Sequence, residues 1–182
     1  MAATLSETGD AESPDVTPGI TIDILTEAGD WSRLPQAQAI AEHATRAALA
    51  AADADIPARA EVAITFTNNA HIRELNRAWR EMDKPTNVLS FPAADLPEAA
   101  LAEGIAQPLG DVIIALETLE AEAADEDKKS EHHLAHLVVH GTLHLLGYDH
   151  IQDDEAEEME GLERQILSAL GIDDPYRLPL DD

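Results

Sequence analysis

Apolar and polar positions alternate over residues 20–25 (Ile-Thr-Ile-Asp-Ile-Leu), the period-two pattern of a strand. An Ala-rich run with Leu34, Ile40, Ala44 and Ala48 on one stripe predicts a helix over 35–52, with Pro35 in its first turn. Residues 61–67 (Glu-Val-Ala-Ile-Thr-Phe-Thr) read as a second strand. Asn68 or Asn69 can cap a helix reaching about Glu81. On it, Ile72, Leu75 and Trp79 fall at helical spacing and should pack inward, while Arg73, Arg77 and Arg80 line another face. A short strand over 87–91 closes at Pro92, a loop spans 93–108, and 109–115 is a buried strand followed by an acidic helix to about Asp127. Ser130 is expected to cap a helix over 131–146, and Asp153 a last helix over 154–170 that Gly171 ends. This order, without internal repeats, predicts an α+β fold: a small mixed sheet of about four strands packed with helices. Residues 18–176 form the expected single domain, between an acidic disordered tail (1–17) and a C-terminal tail (177–182).

The 131–146 helix runs into the segment richest in chemistry, His140-Gly-Thr-Leu-His144-Leu-Leu-Gly147-Tyr-Asp-His150. His140 and His144 are one helical turn apart, so their imidazoles share a face. Gly147 can take the left-handed conformation that ends a helix, and His150 then arrives from the returning chain. Three neutral nitrogens converging on one point, with a fourth position left for water, is the donor set of a catalytic zinc site.

The spacing is that of the metzincin peptidases, H-E-x-x-H-x-x-G-x-x-H, with Gly141 where a peptidase carries its general base. The metzincin-like zinc geometry is expected to survive without the proton acceptor, which argues against peptide hydrolysis. His136 cannot join the same ion, since it lies about 12 Å along the axis from His144, and packing is its favoured reading over a supporting role. His132 and His133 are expected to be exposed, and His43 and His71 have no motif context. Asp149 is read as capping its own turn in preference to orienting a ligand. Asp111, in an apolar strand, is a candidate for orienting a ligand or capping a loop. The acidic run from Asp153 to Glu158 reads as a charged helix face.

Charge and composition narrow the partners. The chain has 37 acidic residues against 11 basic ones, a net charge of −26, which repels polyanions and favours basic partners. The window from Arg59 to Lys84 is the exception, with Arg59, Arg73, Arg77, Arg80 and Lys84 against Glu61, Glu74, Glu81 and Asp83. It is where a phosphate backbone would be welcome. With no Cys, thiolate ligation and disulfides are excluded. A first basic residue at Arg33, and no apolar leader or membrane-spanning run, lead to an expected cytoplasmic location.

Two stretches resemble the YbeY family, bacterial endoribonucleases that act as rRNA maturation factors. They are Leu75-Asn-Arg-Ala-Trp-Arg-Glu-Met-Asp-Lys-Pro-Thr-Asn-Val-Leu-Ser-Phe-Pro92 and His136-Leu-Val-Val-His-Gly-Thr-Leu-His-Leu-Leu-Gly-Tyr-Asp-His150. The Leu109-Gly110-Asp111 strand start and the acidic 153–160 segment are similar too, so the resemblance spans residues 20–176. Trp79 stands where the family usually has Tyr. The resemblance implies one Zn2+ per chain, held by His140, His144 and His150 on a central helix, and hydrolysis of single-stranded RNA. It places the family's catalytic arginine on Arg80, and His140 is read as catalytic as well as a metal ligand. It also implies work on the 3′ end of small-subunit rRNA and in ribosome quality control. Zinc lowers the pKa of bound water to about 7, so attack does not require the missing Glu. The acidic charge points to the small ribosomal subunit, or a basic ribosomal protein on it, as a source of affinity, and away from DNA and membranes. Two alternatives stand beside this reading: a non-catalytic ribosome-assembly factor with structural zinc, and a metallopeptidase.

Overall fold

The computed structural model describes residues 19–177; the expected N-terminal tail, and all but Arg177 of the C-terminal one, lie outside them. The elements run β1 (Ile20–Thr26), α1 (Ala37–Ala51), β2 (Ala60–Thr67), α2 (Asn69–Arg80), β3 (Val88–Pro92), α3 (Glu98–Ala102), β4 (Gln107–Ala115), α4 (Leu116–Asp125), α5 (Ser130–Leu145) and α6 (Asp153–Ala169). Trp31–Arg33 adds a turn of 3-10 helix before α1. The four strands form one mixed sheet in the order β1-β2-β4-β3. β1, β2 and β4 are parallel, and β3 is an antiparallel edge. The α+β architecture is as the residue pattern predicts.

The pleat sends alternate residues to opposite faces. Val62, Ile64, Val112 and Ile114 pack with Ala41, Ala44 and Ala48 of α1 and with Leu134, Val138 and Leu143 of α5 in the main core. Leu89 and Ala115 face the other way and meet Ile72 of α2, with Leu75, Phe91 and Ile113 around them. Strand β3 therefore lies between α2 on one face and α5 on the other. Helix α5 is buried on nearly every side (Leu134, Ala135, Leu137, Val138, Val139, Gly141, Thr142, Leu143 and Leu145), which makes it the central helix.

Several local expectations change. The 93–108 loop contains α3, and β4 starts at Gln107. The buried Gln107 amide accepts from Leu96 N–H at 2.8 Å and donates to the Ala94 and Pro108 carbonyls at 3.1 and 2.7 Å, a polar anchor inside the sheet margin. Ser130 is the first residue of α5 and not its cap, and α6 begins at Asp153, with Gln152 in the cap position. Asn68 does cap α2, accepting from His71 N–H at 2.9 Å. Trp79 is not inward: it is 70% exposed. The buried stripe of α2 consists of Ile72 and Asn76, and the helix ends one residue beyond Trp79. In that last turn the indole meets only the rim of the sheet, edge-on to Phe91 at 5.7 Å.

Candidate metal centre

The turn after α5 assembles the centre. Gly147 has φ +95°, a conformation costly for residues with a Cβ. Its N–H donates to the His144 carbonyl, and the Tyr148 N–H to the Leu143 carbonyl, each at 3.1 Å. Together these form a Schellman motif, which folds the chain back across the helix end. Asp149 accepts from the His150 N–H at 2.8 Å, the local capping role expected of it. The Tyr148 hydroxyl accepts from Asp53 N–H at 3.0 Å, tying the turn to the end of α1. His140, His144 and His150 then each offer a ring nitrogen within 4.8 Å of the others.

Hydrogen bonding sets the tautomers. His140 Nδ1–H donates to Glu163 Oε1 at 2.6 Å, and His144 Nδ1–H donates to the Tyr148 carbonyl at 2.9 Å. When both rings are neutral the two Nε2 atoms bear lone pairs, and at 3.0 Å a proton or a cation must lie between them. Burial, then the positive charge that His140 and His150 would carry, lowers the His144 pKa below 6.5, which disfavours a proton on its own Nε2. A cation between the two nitrogens would serve both lone pairs. Nitrogens bound at about 2.0–2.1 Å around a tetrahedral ion lie roughly 3.3 Å apart, close to the spacing seen. The donor set fits a metal such as zinc.

Glu163 and Tyr176 are the participants that the sequence reading missed. Glu163 on α6 is fully buried, and its second oxygen accepts from the Tyr176 hydroxyl and from His136 Nε2, the latter at 3.3 Å. Burial alone would raise this carboxyl, but hydrogen bonds from His136, His140 and Tyr176 hold it down to about 2. Burial and the Glu163 charge push Tyr176 well above the ordinary tyrosine range. A signal was available: Glu163 shares its stripe with buried Met159, Ile166 and Leu167, and a carboxylate on a core stripe needs a partner. His136 does more than pack, since it holds the same carboxylate that orients His140. His133 is buried, not exposed, because Glu122 of α4 accepts from its Nε2–H at 2.7 Å.

Gly141 lies between the two helix-borne histidines and against the sheet. A Cβ there would fall 2.6 Å from Val112 Cγ1 and 3.1 Å from Ser90 Oγ. Val112 is fully buried and cannot yield as a flexible chain end would. The position of a metzincin's general base is thus closed by packing, which removes support for the peptidase alternative. Asp111 is exposed, so burial does not demand a partner for it. Arg80 ends α2 on the other face of the sheet from α5, exposed and in no ion pair among the described residues.

The family model described as Endoribonuclease YbeY matches residues 26–171. A protein of Azorhizobium caulinodans named Endoribonuclease YbeY is 62% identical over 160 residues, covering 88% of this chain and 98% of that one. Proteins of the same name from Bradyrhizobium diazoefficiens and Nitrobacter winogradskyi are 54% and 52% identical, covering 85% and 86% of this chain and 84% and 82% of their own lengths. The chain belongs to the YbeY endoribonuclease family.

Proposed function

We propose that this protein is a zinc-dependent endoribonuclease that cuts single-stranded RNA, in maturation of the small-subunit rRNA 3′ end and in ribosome quality control. Residues 18–176 are its catalytic domain, working in the cytoplasm. The observation that carries the metal assignment is the convergence of the His140 and His144 Nε2 atoms, 3.0 Å apart, with a ring nitrogen of His150. The names of the relatives supply the reaction class.

His140, His144 and His150 would hold the ion. A zinc ion there supplies Lewis-acid chemistry that makes water a usable nucleophile near neutral pH without a carboxylate base. That accounts for a hydrolytic centre in which Gly141 is tolerated. Glu163 fixes the His140 ring by accepting a hydrogen bond from its Nδ1–H, which leaves Nε2 free for the ion. Arg80, with no carboxylate engaging it among the described residues, would clamp the scissile phosphate and stabilise charge building on its oxygens. Few cations serve a chain of net charge −26, so much of the affinity would come from a basic surface of the small ribosomal subunit.

The test is incubation of metal-quantified protein with single-stranded rRNA fragments, beside Arg80→Ala and His144→Ala variants. Cleavage by wild type alone is expected, with His144→Ala also losing zinc. If zinc is bound but all three are silent, alone and with small subunits added, the nuclease reading gives way to a binding role in ribosome assembly.

A further inference from the structure

Among the described residues, the two tryptophans are used in opposite ways. Trp31 is buried: it stacks on Phe66 at 4.2 Å, and its Nε1–H donates to the Thr67 carbonyl at 3.1 Å. Trp79 is 70% exposed and meets Phe91 edge-on, with no ring stacked on it among the described residues, so most of the indole stays open to solvent. A single exposed apolar residue needs no explanation. This one has unusual neighbours. Arg80 follows it directly, exposed and in no ion pair among the described residues, whereas Arg73 is taken by Asp83 at 2.9 Å and Arg77, two positions back, points away from the indole toward the same carboxylate. Met82, three residues further along the chain, is 43% exposed. A free cation next to an open indole, in a chain of net charge −26, makes a local surface that suits an anion bearing aromatic rings.

We propose that Trp79 is a base-stacking platform, which takes one nucleobase of single-stranded RNA while Arg80 holds the neighbouring phosphate. The proposal rests on the RNA reading above and adds a contact to the base that phosphate clamping alone does not supply. Strand β3 connects the platform to the metal centre. Phe91 supports the indole from one face of the strand, and the adjacent Ser90 donates to the Gly141 carbonyl at 3.2 Å on the other, between the helix-borne histidines. A base seated on Trp79 would thus set the register of the strand relative to the cutting centre. Stacking tolerates every base, so the platform predicts a preference for unpaired RNA and little preference for sequence.

The test compares wild type, Trp79→Ala and Trp79→Tyr for binding and cleavage of a short single-stranded oligoribonucleotide. The same strand carrying one abasic residue at each position in turn serves as the probe of stacking. Trp79→Ala is expected to bind the intact strand roughly 10-fold more weakly. It should gain nothing from the base at the one position where wild type does, and Trp79→Tyr should recover most of the affinity. Thermal melting should be unchanged, because the indole is exposed. Equal binding of intact and abasic strands by wild type, or an Ala variant matching wild type on both, overturns the platform while cleavage still stands. If wild type neither binds nor cuts the intact strand, the RNA reading fails and the platform falls with it.

Discussion

Glu163→Gln isolates what the buried carboxylate does for the metal centre. The substitution keeps the shape and leaves an oxygen able to accept from His140 Nδ1–H, but removes the charge and turns half the group into a donor. That donor must face either Tyr176 and His136, or, if the amide flips, His140 itself. A flipped amide would force the His140 proton onto Nε2, the atom offered to the ion. Supporting carboxylates of this kind change metal affinity by about 10–100-fold, equivalent to about 1.4–2.7 kcal/mol. Stability moves as well. Holding the carboxyl at about 2 against an ordinary 4.5 corresponds to roughly 3 kcal/mol favouring the charged form. Because the folded value is the lower one, this contribution is complete above 4.5 and is lost as pH falls through 2. The Gln variant also avoids desolvating a charge, so a net loss of about 1–2 kcal/mol is expected in metal-free protein at neutral pH. Competition against a chromophoric chelator reads the affinity, urea denaturation of the metal-free protein reads the stability, and nitrogen NMR reads the His140 tautomer. Wild-type zinc affinity together with an unchanged tautomer would refute the orienting role. A loss of stability alone would reduce Glu163 to a packing group.

Gly141→Ala should cost stability although alanine is the better helix former. The helix gains about 1 kcal/mol, but forcing a methyl against buried Val112 costs about 1–3 kcal/mol and displaces both flanking histidines. A lower denaturation midpoint and weaker zinc binding are expected, partly restored by adding Val112→Ala; an unaffected variant would refute the close-contact argument. The Asp83 carboxyl is held below the ordinary range by its hydrogen bond from Arg73, with both groups exposed. Its small stabilising effect should be present above the ordinary carboxylate value and disappear as pH falls through the depressed one. Carbon NMR should show Asp83 titrating higher in Arg73→Ala, and an unmoved titration would show that the pair does not persist in solution.

What could be read in the sequence follows from how local each signal is. The centre was legible because His140, His144, Gly147 and His150 lie within eleven residues, and helix periodicity plus one left-handed glycine fix their relation. The strands were legible because a half-buried sheet enforces alternation. Glu163 and Tyr176 were missed because they meet His140 only through tertiary packing of α6 and the segment after it, which no short spacing encodes. Trp79 was misread for a related reason. Periodicity assigns a residue to a face but does not say how far the surface beneath it extends, and here the sheet ends at Phe91 and Pro92. His133 failed in reverse: a polar residue was assumed to seek water, while the half-exposed Glu122 offered it a partner at the margin of the core.

The open edge at β3 has a consequence for how copies of this protein meet. A sheet edge with unpaired backbone groups invites another strand, and in a chain at cellular concentration that means aggregation. Strand β3 covers only five residues and stops at Pro92, which has no N–H to offer a partner. The opposite edge, β1, places Asp23 among its exposed positions. With a charge of −26 on every copy, self-association is opposed before any strand can dock. The acidity that weakens attraction to nucleic acid is thus also what helps the protein keep open sheet edges and an exposed tryptophan without sticking to itself.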